Sequence, residues 1–234
     1  MSDNEVKVVL LGESAVGKSS IIKQFIDHEF NSIIEPSISS KFISKDYEIK
    51  EINKEIRINL WDTAGQEKYR SLAKIFYKDA QIVIFVYDVT SQISFDGLIN
   101  YWYEEVKNNS LPDVIFGVVG NKIDLYENSL VSKDEAKKWA DSINAIFQLT
   151  SAKTNSGIDK LFELLIKKKF IPDFDYKKED DEIKKEFIQK KNEEEEEKKR
   201  NKQDDDGIKA PKVRKITLDK KDVAKHNKKK KKFC

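Results

Sequence analysis

The chain reads VKVVLLGESAVGKSSIIKQF from residue 6 to residue 25, and these twenty residues indicate how the domain begins. A strand-like run, residues 6–11, leads into a loop with two glycines, and a helical pattern follows over residues 19–27. Residues 12–19 match G-x-x-x-x-G-K-S, a pattern in which a glycine-rich turn between a strand and a helix holds phosphate groups. The stretch therefore predicts a phosphate-binding loop after the first strand of an α/β domain.

The residue types in this loop each have a chemical reason to be there. Glycines allow a tight turn, so that the N–H groups of residues 15–19 face the phosphates, and the helix N-terminus adds positive potential. Lys18 would neutralise the outer phosphates, and the hydroxyl of Ser19 would bind Mg²⁺. The alternative is an ordinary strand-to-helix turn, which the surrounding strand and helix patterns disfavour.

Strand and helix patterns alternate from residue 6 to about residue 170. Two runs, residues 82–87 and 114–119, are continuously apolar, which is typical of strands covered by helices on both faces. Ser132, with Glu135 three residues later, forms a capping box that predicts a helix start. The other strands are expected at residues 6–11, 41–48, 55–61 and 145–149, and the helices at residues 19–27, 94–107, 132–142 and 158–168. This alternation predicts a mostly parallel sheet with helices around it.

A second loop follows the strand predicted at residues 55–61. Asp62 stands at its tip, where a carboxylate can hold Mg²⁺ through a water molecule. Gly65 lets its N–H come close to a terminal phosphate, and the amide of Gln66 could orient an attacking water. Alone this segment could be a plain turn; together with the first loop it indicates nucleotide hydrolysis.

A third loop, Asn121-Lys122-Ile123-Asp124, offers a means of choosing the base. The Asp124 carboxylate can accept two hydrogen bonds from the N1–H and exocyclic amine of guanine, a donor pair that adenine lacks. Asn121 could brace the loops, and the stem of Lys122 could lie over the base. Residues Ser151, Ala152 and Lys153 would complete the base pocket, although Ser-Ala-Lys gains meaning only from its position after the other loops.

Composition separates a domain from a charged appendage. Residues 1–170 carry 22 Lys/Arg and 25 Asp/Glu, whereas residues 171–234 carry 22 and 17, so the basic excess lies in the tail. That excess favours an acidic membrane surface and argues against a nucleic-acid groove in the domain. No apolar run reaches membrane-helix length, no secretory signal is present, and the single cysteine, Cys234, fits a reducing cytosolic compartment. We expect an extension at residues 1–5, a domain at 6–170 and a flexible charged tail at 171–234.

These four loop elements, in this order, resemble the small GTPases of the Ras superfamily, and more narrowly the Rab family. Residues 61–72, WDTAGQEKYRSL, resemble the Rab switch II segment, and residues 76–80 and 87–90 resemble further Rab hallmarks. The loop at residues 11–20 looks closest to the endosomal Rabs. The resemblance implies a P-loop small G domain with a six-stranded sheet, one antiparallel edge strand at residues 41–48, and helices on both faces.

The resemblance also implies a site, a reaction and partners. The reaction is slow GTP hydrolysis with Gln66 and Lys18 as catalytic residues, and Mg²⁺ is held by Ser19, Ser37 and Asp62. The implied partners are an exchange factor, a GTPase-activating protein, effectors, and an escort protein or GDP-dissociation inhibitor, acting on a monomer at the cytosolic face of endomembranes, including endosomes. The nucleotide-binding residues are Gly12, Glu13, Ser14, Ala15, Val16, Gly17, Lys18, Ser19, Ser20, Phe30, Ser37, Gly65, Asn121, Lys122, Asp124, Ser151, Ala152 and Lys153, and the effector-facing residues are Phe42, Trp61 and Phe76.

Two features depart from the Rab pattern. Ser37 stands where Rabs have the Mg²⁺-binding threonine, and Ser39 replaces a glycine, so we expect a more mobile switch I with looser closure on the γ-phosphate. The chain ends in KKKKKFC, with one cysteine where Rabs usually have two or a C-a-a-X box. A single geranylgeranyl group on Cys234 with a polybasic assist would suffice for anchoring. An unmodified tail, with its lysines solvated or used in nuclear targeting, is the alternative.

Two other functions compete with the GTPase switch. A GTPase-like scaffold that keeps its nucleotide with little hydrolysis is suggested by Ser37 and Ser39 but opposed by Gln66. An ATP-using P-loop enzyme, such as a kinase, is opposed by Asp124.

Overall fold

The computed structural model describes residues 3–31, 41–63 and 70–178, with the backbone alone for residues 70–73. These residues belong to the first of two units, residues 1–179; the second, residues 180–234, lies outside them. The expectations for Ser37, Ser39, Gly65, Gln66 and Cys234 therefore fall on residues that are not described. In the described part, no helix is both long enough and apolar enough to cross a membrane.

Six strands form one sheet in the order β2-β3-β1-β4-β5-β6. All neighbouring strands pair in parallel except β2 and β3, which are antiparallel, so the predicted edge strand and the predicted fold class are confirmed. The strands are β1 (Glu5–Leu11), β2 (Lys41–Ile49), β3 (Lys54–Asp62), β4 (Ile82–Asp88), β5 (Ile115–Asn121) and β6 (Ile146–Leu149).

Helices connect the strands and lie on both faces of the sheet. Short 3-10 turns occupy Lys50–Ile52 and Ile123–Asn128, and a π-helical turn, Leu98–Trp102, joins α3 to α4. The α-helices are α1 (Lys18–Asp27), α2 (Arg70–Tyr77), α3 (Gln92–Gly97), α4 (Tyr103–Lys107), α5 (Lys133–Ser142) and α6 (Ile158–Phe170).

The strand β4 shows how the sequence produces two cores. Each of its seven residues is buried. Because side chains alternate along a strand, Ile82, Ile84 and Val86 pack with α1 and α6, whereas Val83, Phe85 and Tyr87 pack with the helices α3 to α5. Because both faces of β4 are covered, residues 82–87 are all apolar.

Helix boundaries differ from the expectations where caps decide them. The helix expected from residue 94 begins at Gln92, because Ser91 is its N-cap and accepts a hydrogen bond from the N–H of Ser94. At α5 the expected capping serine is confirmed, with the N–H of Glu135 donating to Ser132 Oγ at 3.1 Å. Helix α2 was not expected.

A short segment after α6, residues 171–176, packs against the domain; we call it the C-terminal strap. The side chain of Tyr176 is buried and its hydroxyl donates to the carbonyl of Ala145 at 3.0 Å. Ile171 and Phe174 pack against the α1–α6 core. The packed chain thus extends past residue 170, where the domain was expected to end.

Candidate functional site

The loop between β1 and α1 has the backbone that a phosphate cradle needs. Gly12, Ala15 and Gly17 all have positive φ angles, of 148°, 62° and 100°. A Cβ on Gly12 would lie 2.1 Å from the carbonyl oxygen of Val86, and one on Gly17 would lie 2.3 Å from Asn121 Nδ2. Both glycines are therefore required by close approach as well as by φ. The positive φ of Ala15 has no signal in the sequence.

The side chain of Lys18 lies inside this loop and is only 5% exposed. Its Nζ donates to the carbonyl oxygens of Gly12, at 3.0 Å, and Glu13, at 2.8 Å. Burial lowers the pKa of Lys18 to about 8, against the opposing influence of the carboxylates of Asp62 and Glu13. An ammonium group held in this way lies within the loop, where it could bind a phosphate.

Asn121, at the end of β5, joins three loops. Its Nδ2 donates to the carbonyl of Val16 in the phosphate loop at 2.9 Å. Its Oδ1 accepts from Thr150 Oγ1 at 3.2 Å and from the N–H of Ala152 at 3.3 Å. The position of the phosphate loop is thereby tied to the loop after β6, so that the phosphate and base ends of a nucleotide would be held at a defined separation.

The carboxylate of Asp124 contacts the same loop after β6 that is bonded to Asn121. Its Oδ1 accepts a hydrogen bond from Ser151 Oγ at 2.7 Å, and its Oδ2 is 3.7 Å from Lys153 Nζ. The hydroxyl of Ser151 also accepts from the N–H of Thr154, at 3.1 Å. The structure thus brings together Asp124, Ser151 and Lys153, which come from separate parts of the sequence.

Lys122 is held by a residue for which sequence analysis suggested no chemical role. Its Nζ is 2.7 Å from Asp88 Oδ2, at the end of β4, and its own φ is 69°. Burial by itself would raise the pKa of Asp88, but hydrogen bonds from Lys122 and Thr90 outweigh it, so the pKa of Asp88 is lowered. Asp88 is therefore an anion at neutral pH that fixes the stem of Lys122. Only its location at a strand end could have suggested this.

Two oxygen ligands suited to Mg²⁺ come from the end of β3 and the start of α1. Asp62 is buried at the end of β3, close enough to Lys18 to influence its pKa, and Ser19 lies in the first turn of α1. The next residue, Thr63, anchors the start of its loop because its hydroxyl donates to the carbonyl of Leu10 at 2.6 Å. A carboxylate and a hydroxyl are hard oxygen ligands of the kind that Mg²⁺ prefers.

The predicted effector-facing residues form a contiguous aromatic cluster, which we call the aromatic triad. The ring of Trp61 is 5.1 Å from that of Phe42 and 5.7 Å from that of Phe76, between centroids. Phe42 is 55% exposed although it contacts Trp61. Phe30, expected at the guanine edge, is likewise exposed. The triad is thus an apolar surface that begins at the edge strand β2.

The sequence of this chain is similar to those of known proteins. Residues 7–170 match the model of the Ras family. The chain is 40% identical to human Ras-related protein Rab-22A over 162 residues, which is 69% of this chain and 82% of that protein. It is 41% identical to Ras-related protein RabJ of Dictyostelium discoideum over 167 residues, 71% of this chain and 64% of that protein.

Proposed function

This chain belongs to the Ras family, and we propose that it is a Rab-type switch in which the loops described above hold GDP or GTP with Mg²⁺. The family and the Rab relatives indicate a GTPase that hydrolyses GTP to GDP and acts in vesicle trafficking. The observation that carries the proposal for the individual residues is the pair of hydrogen bonds that Asn121 makes to Val16 and Ala152. These bonds join the phosphate loop to the loop whose Ser151 contacts Asp124.

At the base end, Asp124 would accept hydrogen bonds from guanine N1–H and the exocyclic amine. The hydroxyl of Ser151 donates to Oδ1 of Asp124, which orients the carboxylate. The fixed stem of Lys122 would cover one face of the base. Guanine would be preferred over adenine because a site that requires two donors leaves its carboxylate unsatisfied when they are absent.

At the phosphate end, we propose that Lys18 and the N–H groups of the loop bind the β- and γ-phosphates. Ser19, Ser37 and Asp62 would hold Mg²⁺. A bound Mg²⁺ would neutralise the negative charge that develops on the phosphate oxygens during hydrolysis. Gln66 would orient the attacking water. The phosphate loop provides no arginine, so an activating protein would supply the missing charge.

Exchange factors, activating proteins and effectors act on Rab-family members in general. For this chain we propose that effectors dock on the aromatic triad, that the switch works as a monomer, and that an escort protein or GDP-dissociation inhibitor handles a prenylated Cys234. The polybasic end next to Cys234 would add attraction to an anionic leaflet, at the cytosolic face of endomembranes such as endosomes.

Binding and hydrolysis are tested on the purified full-length chain. We expect GDP to bind at least 100-fold more tightly than ADP, and Asp124→Ala to remove most of that preference, a loss of about 3 kcal/mol. Single-turnover GTP hydrolysis should stop with Gln66→Leu while GTP binding persists. Equal affinity for GDP and ADP would contradict the base assignment, and hydrolysis indifferent to Gln66 would favour the scaffold alternative.

The membrane anchor is tested separately. A tagged chain should decorate endomembranes and the Cys234→Ser variant should not, since one lipid plus a basic cluster gives stable attachment whereas the cluster alone does not. Equal membrane recruitment of the two chains would remove Cys234 from the proposal and leave the nucleotide site untouched.

A further inference from the structure

The phosphate loop contains an acidic residue, Glu13, whose side chain contacts the helical segment that includes Gly97 and Trp102. Glu13 lies between Gly12 and the residues whose N–H groups face the phosphates, where a carboxylate would repel a polyphosphate. Its Oε1 accepts a hydrogen bond from Trp102 Nε1 at 3.2 Å. The same oxygen packs on the α3 backbone, since a Cβ on Gly97 would lie 2.8 Å from it. The carboxylate is therefore seated between Gly97 and the indole.

The indole that holds Glu13 comes from an unusual turn. Trp102 is fully buried and is the last residue of the π-helical turn Leu98–Trp102. In this turn the N–H of Tyr103 donates to the carbonyl of Leu98, five residues earlier. Such turns are rare and occur frequently at functional sites. The turn directly follows Gly97, so the two features that seat the carboxylate are neighbours on one helical segment.

The backbone of Glu13 belongs to the phosphate site as well. Its carbonyl oxygen accepts from Lys18 Nζ at 2.8 Å. Glu13 therefore contacts Lys18 through its backbone carbonyl and Trp102 through its side-chain carboxylate. The Glu13 carboxylate is already near enough to influence the pKa of Lys18, and its release from the indole would let its negative charge move toward the phosphates.

We propose that Trp102 is a positioning residue for nucleotide binding, which holds the Glu13 carboxylate against Gly97 and outside the phosphate cradle. The inference rests on the proposed nucleotide site. It assigns a role in binding phosphates to a residue 89 positions along the chain from Glu13.

The first test is a double-mutant cycle on the full-length chain with fluorescent GDP. Trp102→Phe removes the indole N–H from which the Glu13 carboxylate accepts, so GDP dissociation should become about tenfold faster, as expected for losing a hydrogen bond to a charged group. In the Glu13→Gln background the same substitution should change the rate by about threefold or less, because no charge remains to be released. Trp139→Phe is the matched control: it makes the same change at an indole that packs on Phe85, Phe95 and Tyr103, against the same helical segment, and it should leave the dissociation rate unchanged.

A second variant keeps the test decisive if Trp102→Phe does not fold. Gly97 has helical backbone angles, so Gly97→Ala is compatible with the helix, but its methyl group displaces the Glu13 carboxylate. It should also accelerate GDP release by several-fold, and Glu13→Gln should abolish this effect.

The outcomes separate the two proposals. If Trp102→Phe accelerates release equally in the wild-type chain and in the Glu13→Gln background, Trp102 is a packing residue and the inference is overturned. The same holds if both Trp102→Phe and Gly97→Ala release GDP at the wild-type rate while the wild-type chain binds it. If the wild-type chain binds no guanine nucleotide, the proposed function fails, and the inference fails with it.

Discussion

The buried ammonium of Lys18 should make nucleotide affinity depend on pH. In the nucleotide-free protein its pKa is lowered to about 8, whereas bound phosphates would keep it protonated. Binding above pH 8 therefore takes up a proton, and the affinity for GDP should fall as pH rises past 8, by up to about tenfold per pH unit. The measurement is the Kd of GDP between pH 7 and pH 9.5. Lys18→Met should lack this component of the slope; parallel slopes would contradict the assignment.

Two tyrosines should respond in opposite ways to the loss of their hydroxyl groups. The hydroxyl of Tyr87 is buried with no hydrogen-bond partner in the described part of the chain, whereas that of Tyr176 donates to Ala145. Tyr87→Phe should raise the stability of the GDP-bound protein by about 1 kcal/mol and Tyr176→Phe should lower it by a similar amount. Calorimetry should show shifts of about 2–4 °C in opposite directions. Destabilisation by Tyr87→Phe would indicate a bound partner for its hydroxyl, such as a buried water.

At this scale, local spacing in the sequence predicted where several site residues lie. Lys18 begins the helix that follows β1, Asn121 ends β5 and Asp124 comes three residues later, so their positions at one edge of the sheet follow from the fold. The hydrogen bond from Trp102 to Glu13 and the ion pair of Lys122 with Asp88 could not be predicted. They join residues that are distant along the chain, and no sequence motif contains both partners.

At the scale of elements, the C-terminal strap should matter for stability. A chain that ends after Phe170 loses the buried side chain of Tyr176 and the packing of Ile171 and Phe174. We expect it to be less stable by about 3 kcal/mol or more, and its Tm to fall by at least about 6 °C. The matched control ends after Lys178 and retains all of these contacts, so its Tm should equal that of the full chain. Equal Tm values for the two truncations would show that the strap contributes nothing.

Elements with strong periodicity were predictable, and those stabilised by tertiary contacts were not. The six apolar residues of β4, residues 82–87, and the capping serine of α5 are signals that can be read directly from the sequence. Helix α2 has eight residues, too few to be stable alone, and the packing of Phe76 on Trp61 supports it. The strap contains a proline, Pro172, and a dense run of charges begins after the strap, which together suggested that the fold had ended.

At the scale of the whole molecule, protection from hydrogen exchange should follow position in the sheet. Strand β4 is central and buried on both faces, whereas β2 is an edge strand with mostly exposed side chains. Amides of β4 should exchange at rates set by global unfolding, and those of β2 much faster, as hydrogen-exchange mass spectrometry would show. Strong protection of β2 would mean that another chain pairs with its edge, contrary to a monomer.

The sheet order also bears on how the protein is made. Strand β1 is synthesised first, yet its two neighbours are β3 and β4, which end at Asp62 and Asp88. At 5–20 residues per second, about 50 residues separate the end of β1 from the end of β3, so an apolar strand waits about 3–10 s for its first partner. The base pocket waits longer still, until the loop after β6 has been translated. During that interval nucleotide binding cannot stabilise the nascent chain, because half of the residues proposed to hold the base have not yet been translated.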